Sequence, residues 1–500
     1  MPNNEFGDFQ TPEELSEKCL SLLDIPENAR ILEPTCGLGS FLRAAMKKSA
    51  NSERKGLDIN PGYVSAASKY GDVKQGDIFQ FNANAVKWNT SGPLFVIGNP
   101  PWVTSSDLRR MGSGNIPPKE NFKHAKGYDA LLGSSNFDVC EYVILKLLSE
   151  LRAEPFVLGM LCKTQVARNI IEFAAKEKLP ITKSAIYRID AKKSFNASVD
   201  ACWFIVYSSP SVESSYITDV YSELASEISL EKRFGMIHGQ LVSDVDKYED
   251  NSSGDGKCPY EWRSGLKHDA SSVFELKNEN GMAVSSFGDS FEPDGKFILP
   301  LLKSTDVFRG KPSSKWVIVP QLSFGGETET LHRENPVLWD YLDRHSDVID
   351  GRKSSIYKDK ARFTVFGHGD YTYSPYKIAI SGLHKSLYFR LITPTNGVPI
   401  VLDDTCYFLP FSNSTEACLV ISLLINKPCQ DLMESLIFWD SKRPVNKKIL
   451  SRINMFSVSF SRSEVLGRAS EIAEKHGIDY GEGNAERILS RYEESIPTLF

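Results

Sequence analysis

Short apolar runs alternate with helical patterns over the first 210 residues of the chain. The apolar runs have the length of buried strands, and the segments between them have the spacing of amphipathic helices. This alternation is typical of βαβ units and predicts an α/β domain with a mostly parallel sheet. The predicted strands are residues 29–33, 55–59, 93–98, 156–161 and 201–207, and the predicted helices are residues 39–48, 61–70 and 136–151.

The pattern changes after about residue 210. A serine-rich stretch leads into the sequence EDNSSGDGK at residues 249–257, whose composition predicts a flexible segment. Mixed strand and loop patterns with many aromatic residues continue to about residue 410, and the tail returns to amphipathic helix. We therefore predict two domains, an α/β domain at residues 1–230 and a mixed α+β domain with a helical tail at residues 231–500.

Composition narrows the class of protein. The chain has 500 residues, of which 41% are hydrophobic and 24% charged, and this balance excludes disordered, collagen-like and coiled-coil proteins. No apolar run approaches the ~20 residues that a membrane helix needs. The first residues, MPNNEFGDFQ, lack the features of a secretion signal, and the nine cysteines include no CxxC pair. We expect a cytoplasmic monomer with reduced thiols, without a membrane segment or a metal site.

A glycine-rich turn, EPTCGLGS at residues 33–40, joins the first predicted strand to a helix. Glycines in such a turn let a ligand approach the backbone closely. Asp58 ends the second predicted strand and Asp77 ends a third, so the acids lie at strand ends where open α/β sheets bind nucleosides. Asp58 can accept hydrogen bonds from ribose hydroxyls, Asp77 can accept one from an adenine amino group, and Ile78 can pack on the ring. Each acid alone fits a cap or a surface position better, but together they predict an adenosine-type cofactor.

NAD is the main alternative for this cofactor. The third glycine of GxGxxG is absent, because Phe41 and Leu42 follow Ser40, and the turn begins with the acid Glu33. An acid at that point suits an amine or a cation better than a pyrophosphate. S-adenosylmethionine carries an ammonium and a sulfonium and therefore fits better than a dinucleotide.

The most specific signal is Asn99-Pro100-Pro101-Trp102, which directly follows an apolar strand. Two prolines fix the backbone and remove two N–H groups, so the carbonyl groups there are available as acceptors. The Asn99 side-chain oxygen and the Pro100 carbonyl can both accept from one NH₂ group, while Trp102 offers a stacking face. The segment predicts a receptor for a planar molecule with an exocyclic amine; the structural alternative is a rigid turn with a core tryptophan.

Five motifs occur in order: FQTPEEL (9–15), LEPTCGLGSFL (32–42), GLDIN (56–60), GDIF (76–79) and GNPPW (98–102). This series resembles the motifs of amino-methylating DNA methyltransferases, most closely the N6-adenine-specific enzymes of gamma motif order. The resemblance implies a Rossmann-like S-adenosylmethionine-dependent methyltransferase domain followed by a target-recognition domain. It also implies double-stranded DNA as substrate and the role of a type II restriction-modification methylase beside a separate cognate endonuclease.

The resemblance assigns roles to residues by position. It implies that Asp58 holds the ribose, that Asp77 and Ile78 hold the adenine, and that Asn99 also borders the cofactor. Trp102 and Phe195 would stack on the target base, although Trp102 replaces the commoner Tyr or Phe and lacks a hydroxyl. The methionine end of the cofactor would contact Thr11, Glu33, Pro34, Thr35, Cys36, Gly37 and Gly39. The catalytic group would comprise Asn99, Pro100, Pro101 and Trp102.

A DNA-binding surface is predicted in residues 352–390, which hold eight lysines and arginines and two acids, a net charge of +6 in a chain of net charge −6. Eight aromatic residues are interleaved with these charges, as is typical of phosphate contact and base readout. The alternative is a solvated basic face. The predicted DNA contacts are Arg109, Arg110, Lys123, Lys126, Arg263, Lys267, Lys303, Arg352, Lys353, Lys358, Lys360, Arg362, Lys377 and Lys385.

Four other functions remain open at this point. The same pocket would serve an N4-cytosine methyltransferase or a protein glutamine-amide methyltransferase, although the long second half and its basic segment favour DNA. A non-catalytic DNA-specificity protein would not need the cofactor motifs. A fused nuclease is indicated only by Asp269 and the ExK spacing of Glu275 and Lys277.

Overall fold

The structure is a computed structural model that describes residues 9–104, 138–322 and 326–495. It divides into two compact units, Met1–Asp246 and Lys247–Phe500. The division lies later than the predicted boundary at residue 230. The reason is that two further strands, Lys232–Ile237 and Gln240–Val242, pair into the sheet of the first unit.

Among the described residues of the first unit, ten strands form one sheet in the order β10-β9-β8-β6-β7-β5-β4-β1-β2-β3. The strands are β1 Arg30–Glu33, β2 Glu53–Asp58, β3 Asp72–Gln75, β4 Leu94–Gly98, β5 Phe156–Lys163, β6 Ile181–Ile189, β7 Ala201–Ser208, β8 Ile217–Tyr221, β9 Lys232–Ile237 and β10 Gln240–Val242. The helices described here are α1 Glu13–Ser21, α2 Ser40–Lys48, α3 Pro61–Ala67, α4 Val139–Glu150, α5 Thr164–Lys176 and α6 Ala191–Phe195, and α7 Val245–Asn251 crosses the division between the units.

Strands β3, β2, β1, β4 and β5 pair in parallel, which confirms the predicted parallel sheet. After β3 the chain returns to the other side of β1, so the strand order reverses between β1 and β4. In open α/β sheets this reversal opens a crevice at the carboxyl ends of the strands, and ligands bind there. Beyond β5 the sheet continues with the antiparallel β7, unlike the classic dinucleotide-binding order, which runs 3-2-1-4-5-6.

The core of the first unit includes a close approach between a glycine and a tryptophan. Trp203 on β7 is fully buried and stacks on Phe41 of α2, with 5.3 Å between the ring centres. A Cβ atom on Gly159 of β5 would lie 2.4 Å from this indole, so only glycine fits opposite it. The contact seats α2 against the sheet, and the turn before α2 is thereby held at the crevice.

Among its described residues, the second unit contains a four-stranded sheet in the order β11-β20-β17-β18 and a six-stranded sheet in the order β14-β13-β12-β16-β15-β19. Its strands are β11 Arg263–Ser264, β12 Glu275–Glu279, β13 Met282–Val284, β14 Ser290–Phe291, β15 Ile298–Leu302, β16 Lys315–Ile318, β17 Tyr376–Ser381, β18 Phe389–Ile392, β19 Val401–Leu402 and β20 Cys406–Phe411. Its helices are α8 Ser271–Phe274, α9 Ser304–Arg309, α10 Glu329–Glu334, α11 Pro336–Arg344, α12 Ser346–Asp350, α13 Ser414–Leu424, α14 Lys427–Leu436, α15 Lys447–Leu450, α16 Arg462–His476 and α17 Glu482–Ser495. This mixed organisation agrees with the predicted α+β domain.

The predicted flexible segment at residues 249–257 is instead anchored. The Asp255 carboxylate accepts hydrogen bonds from Arg452 Nε at 2.9 Å and from the Tyr248 hydroxyl at 2.7 Å. Gly254 is buried, and a Cβ there would lie 2.3 Å from Val458. The polar composition suggested a linker because two of these partners, Arg452 and Val458, lie far along the chain.

Within the described ranges, no helix is long and apolar enough to cross a membrane. All nine cysteines fall in those ranges, and each is buried with a free thiol.

Candidate active site

A cleft opens at the carboxyl ends of β1, β2 and β4 in the first unit. Its empty space, part of which is open to solvent, is about 920 Å³. Most of the residues predicted for the cofactor meet in it: Thr11, Glu33, Pro34, Thr35, Cys36, Gly37, Asp58, Asp77, Ile78 and Asn99, together with Pro101. Gly39, Pro100, Trp102 and Phe195 do not line it.

The turn between β1 and α2 requires glycine at two positions. Gly37 and Gly39 have φ angles of +50° and +81°, which lie in the left-handed region. A Cβ on Gly39 would also lie 2.9 Å from the Cβ of Ala67. Gly39 therefore shapes the turn although it does not face the cleft.

The backbone N–H groups of this turn already donate to acceptors of the protein. Gly37 donates to Asp58 Oδ2 at 2.8 Å, and Leu38 donates to Gln10 Oε1 at 3.1 Å. Cys36 donates to the Leu57 carbonyl at 2.9 Å, and Gly39 to the Cys36 carbonyl at 2.7 Å. A pyrophosphate would need some of these donors, so the turn does not suit a dinucleotide.

Two aspartates are held in place by neighbouring amides. Asp58 accepts from Gly37 N–H with one oxygen and from Asn60 N–H at 2.9 Å with the other. Asp77 accepts from Phe79 N–H at 2.9 Å. A carboxylate oxygen can accept more than one hydrogen bond, so both side chains are pre-oriented and retain capacity for a ligand hydroxyl or amine.

Glu33 is the buried acid of the cleft. Its side chain accepts from Leu42 N–H at 3.0 Å, and the residue is 2% exposed. Burial raises the pKa of Glu33 well above its ordinary value, the Leu42 N–H opposes this, and the charge of Asp58 adds to it. A cation in the cleft would offset both effects, so the electrostatics favour a positively charged ligand.

These residues fit S-adenosylmethionine. The cleft offers three carboxylates to an ammonium, a sulfonium, ribose hydroxyls and an adenine amine. Two buried atoms at its wall, Thr35 Oγ1 and Asn99 Oδ1, have no hydrogen-bond partner among the described residues. Buried polar atoms of this kind are normally satisfied, so both atoms point to a polar ligand.

The Asn-Pro-Pro-Trp corner begins at the end of β4. The Asn99 amide donates from Nδ2 to the Phe9 carbonyl at 3.0 Å, which turns Oδ1 away from that contact as an acceptor. Asn99 and Pro101 line the same cleft as Asp58 and Asp77, so the corner and the cofactor residues share one space.

Trp102 is held in place by a hydrogen bond and by contacts with two aromatic rings. Its indole N–H donates to the Leu161 carbonyl at 3.2 Å, and the residue is 6% exposed. Its ring meets Phe195 at 5.1 Å and 69°, and the Phe9 ring contacts both. The predicted stacking of a base between Trp102 and Phe195 therefore requires the two rings to separate, because in this structure they contact each other directly.

Sequence reasoning missed several cleft residues, including Phe9, Gln10, Tyr63 and Val139. Phe9 and Gln10 lie in the motif FQTPEEL, so this motif could have identified them as cleft residues. Tyr63 and Val139 belong to the first turns of helices α3 and α4, and no local pattern distinguishes them from ordinary helix residues.

Two of the predicted DNA contacts are engaged within the second unit, and the burial of Lys377 contradicts its predicted role. Lys377 is 1% exposed on the central strand β17 and donates to the Ser374 carbonyl at 2.7 Å. Burial lowers its pKa to about 7. Arg352 is half-buried, donates to the carbonyls of Ile349 and Thr364, and stacks on Tyr357. Both side chains stabilise the second unit from within.

The other predicted DNA contacts differ in their accessibility. Lys353, Lys358, Lys360 and Lys385 are exposed, and Arg362 is exposed but pairs with Asp343. Three more pair with nearby acids: Arg263 with Glu261, Lys267 with Asp269, and Lys303 with Glu275. Four lie outside the described residues: Arg109, Arg110, Lys123 and Lys126.

Glu275, an acid of the alternative nuclease pattern, is paired with two lysines. Lys303 and Lys315 donate to the two Glu275 oxygens at 2.7 and 2.6 Å. Burial alone would raise the pKa of Glu275, but hydrogen bonds from His268 and the two lysines lower it below its ordinary value. Within the described ranges, no group of acids, histidines and cysteines could hold a metal ion.

Comparison with known proteins identifies the family. The chain is 36% identical over 465 residues to the type II methyltransferase M.NspV of Nostoc sp., and the match covers 90% of this chain and 96% of that protein. The chain belongs to the type II methyltransferases. This methyltransferase is also similar to the type II methyltransferase M.CvrRI of Paramecium bursaria Chlorella virus XZ-6E, with 27% identity over 164 residues, or 33% of this chain and 38% of the other.

No protein-family profile matches the chain. Among solved structures, it is similar to a modification subunit of a putative type I restriction enzyme from Vibrio vulnificus, with 12% identity, a TM-score of 0.30, and coverage of 44% of this chain and 48% of that one.

Family membership and the cleft agree on the cofactor and the fold. The methyltransferase depends on S-adenosylmethionine, and its first unit is a Rossmann-like domain. Because the match to M.NspV covers 90% of the chain, it includes both units. The similarity to M.NspV therefore extends into the second unit.

Proposed function

We propose that this type II methyltransferase transfers a methyl group to the exocyclic N6 of an adenine flipped out of double-stranded DNA. In this proposal it acts at a specific sequence as the modification half of a restriction-modification system. One observation carries the proposal: Asn99 lines the cleft that contains the predicted cofactor carboxylates, and its buried side-chain oxygen has no hydrogen-bond partner among the described residues. An exocyclic amine is the group that two acceptors on a stiff corner would bind.

The proposed chemistry relies on position and polarity. The lone pair of an exocyclic amine is delocalised into the ring, so the nitrogen is a poor nucleophile. Asn99 Oδ1 and the Pro100 carbonyl would accept its two hydrogens, draw them out of the ring plane and return electron density to nitrogen. S-adenosylmethionine supplies, when bound, an electrophilic methyl group whose bonding electrons return to sulfur on transfer. The surplus proton on nitrogen passes to water, and no side-chain base is needed.

A base within a duplex cannot reach this cleft, so the target must leave the helix at a cost of a few kcal/mol. The aromatic cluster of Phe9, Trp102 and Phe195 beside Asn99 supports such a step. Stacking on an aromatic ring contributes roughly 1–3 kcal/mol per base. The flipped base is expected to stack on Trp102 or Phe195, the two rings of this cluster that are predicted to hold it.

Adenine is proposed over cytosine because the motif GNPPW resembles the adenine-specific enzymes. The two acceptors would serve the N4 amine of cytosine equally well. For DNA itself, the support is the set of exposed lysines in the second unit, Lys353, Lys358, Lys360 and Lys385. These would contact phosphates, while nearby aromatic and polar side chains read base edges.

The test is methyl transfer from labelled S-adenosylmethionine to duplex DNA of mixed sequence. After enzymatic digestion, the labelled nucleoside is identified and its flanking sequence is mapped. We expect N6-methyladenine at one short sequence, and no label in the Asn99→Ala variant. Label in N4-methylcytosine would overturn the adenine assignment, and label in protein but not in DNA would overturn the DNA assignment.

A further inference from the structure

The orientation of the Asn99 amide decides what it offers to a substrate. An asparagine side chain can turn its amide by 180° at little cost and then present NH₂ instead of oxygen. An NH₂ group facing an exocyclic amine would set donor against donor. Something must therefore hold the amide with its oxygen toward the cleft.

The Phe9 carbonyl provides this restraint. It accepts from Asn99 Nδ2 at 3.0 Å. A carbonyl can only accept, so the contact is favourable with Nδ2 and repulsive with Oδ1. The two residues lie 90 positions apart in the chain. The contact therefore depends on how the segment before α1 is held in place.

Three neighbouring contacts hold that segment. The Phe9 ring packs at 5.8 Å from the Trp102 ring and at 5.7 Å from the Phe195 ring. Gln10 accepts from the Leu38 N–H of the glycine-rich turn. The Thr11 carbonyl accepts from the Ser40 hydroxyl at 2.7 Å. Phe9 therefore lies between the other two rings of the aromatic cluster and the segment that contacts the glycine-rich turn.

We propose that Phe9 is a positioning residue, whose ring anchors its own carbonyl so that Asn99 presents Oδ1, and not its NH₂ group, to the target amine. This inference rests on the proposed function, because it assigns the acceptor role to Asn99. Phe9 acts through Asn99 and takes no part in the transfer itself.

The test uses the full chain and compares turnover of Phe9→Ala with that of Phe9→Leu. Phe9→Ala removes the anchoring ring but keeps the carbonyl, so the amide is free to turn. We expect kcat to fall about tenfold or more while KM for S-adenosylmethionine stays within about twofold. Phe9→Leu keeps apolar packing and should restore most of kcat. An unchanged kcat in Phe9→Ala, or an equal loss in Phe9→Leu, would overturn the proposal.

A double-mutant cycle separates orientation from general packing. Asn99→Asp has two acceptor oxygens, so its orientation no longer matters. In that background Phe9→Ala should change kcat by less than about twofold, in contrast to its effect beside Asn99. Equal effects in both backgrounds would show a structural role only and overturn the proposal. Phe81→Ala, another half-buried phenylalanine of the first unit, is the control and should show no coupling to position 99.

The outcomes also distinguish this inference from the proposed function. If the wild-type protein methylates no DNA, both fail together. Suppose that the wild type is active and Asn99→Ala is inactive. If the effects of the Phe9 and Asn99 substitutions in the cycle then simply add, the positioning role of Phe9 is refuted, while the proposed function stands. If Asn99→Asp has no measurable turnover, the comparison of Phe9→Ala with Phe9→Leu decides the question.

Discussion

The backbone N–H of Gly37 donates a hydrogen bond to the carboxylate of Asp58, with 2.8 Å between nitrogen and Oδ2. The bond joins the turn after β1 to the end of β2, two strands that lie side by side in the sheet. It orients the acid proposed to hold the ribose and uses an amide that would otherwise attract an anion. The selection of S-adenosylmethionine over a dinucleotide thus follows in part from this single contact.

Removing the Asp58 carboxylate should weaken cofactor binding. Loss of charge-assisted hydrogen bonds costs about 1.5–3 kcal/mol, so we expect Asp58→Ala to raise the Kd for S-adenosylmethionine about 10- to 100-fold. Isothermal titration calorimetry measures this directly. Asp72→Ala on the adjacent strand β3 is the control, because Asp72 pairs with Lys55 and does not line the cleft. Equal affinities of Asp58→Ala and the wild type would refute the assignment.

Removing the Asn99 acceptor should abolish chemistry and spare cofactor binding. Loss of one preorganised hydrogen-bonding group in other active sites lowers kcat by about 100-fold or more, and we expect at least this from Asn99→Ala. The Kd for S-adenosylmethionine should stay within about tenfold, or ~1.4 kcal/mol. Single-turnover methylation and calorimetry separate the two quantities. Asn84→Ala, outside the cleft, should behave as the wild type, whereas normal turnover in Asn99→Ala would contradict the mechanism.

The exposed lysines of the second unit should contribute to DNA affinity through phosphate contacts. Each neutralised phosphate contact lowers the slope of log K against log salt concentration by roughly 0.9. The double variant Lys358→Ala/Lys360→Ala should therefore weaken binding and reduce the slope by up to about 2. Fluorescence anisotropy at several salt concentrations measures both. Lys427→Ala is the control, since Asp431 already pairs with Lys427; an unchanged slope in the double variant would place the DNA elsewhere.

Glu141 on α4 should make stability depend on pH. The residue is 4% exposed, and burial raises its pKa to about 7, although a hydrogen bond from Asn169 opposes the shift and the charges of Asp138 and Glu172 add to it. The folded state therefore holds a proton that the unfolded chain releases above about pH 4.5. Stability contributed by this group falls as pH rises from about 4.5 to about 7, by up to about 3 kcal/mol.

The variant Glu141→Gln removes this titration and keeps an oxygen to accept from Asn169. We expect it to be more stable than the wild type at pH 8, by about 1–3 kcal/mol, with a smaller difference at pH 5. Urea unfolding at both pH values measures the change. Glu223→Gln, at an exposed position of the same unit, is the control. A difference that does not grow with pH would show that Glu141 titrates normally.

The sequence by itself was sufficient to predict that the proposed cofactor residues share one cleft. Glu33, Asp58 and Asp77 each lie at or just after the end of a strand, and parallel strands bring such ends to one edge of the sheet. Chain order and local pattern are sufficient to bring them together. Asn99 follows the same rule, because it comes directly after β4. The motifs are local strand-to-turn junctions, so short-range information was enough.

Only the tertiary structure decided which charged side chains are accessible. Lys377 and Lys358 look alike in the basic segment, yet Lys377 lies on a central strand between β20 and β18 while Lys358 is exposed. The composition of residues 249–257 predicts a flexible linker, but in the folded chain Arg452 donates to Asp255 and anchors the segment. Burial and anchoring depend on what packs against a residue from distant parts of the chain, and composition carries no record of those neighbours.

The same distinction applies within the cleft. The sequence predicted Asn99 as an acceptor, because two prolines stiffen the corner that follows the strand. Its orientation depends on Phe9, which reaches it across 90 positions and is itself held by Trp102 and Phe195. Local sequence specifies which chemical groups are present, whereas the long-range packing that folding adds specifies which way those groups point.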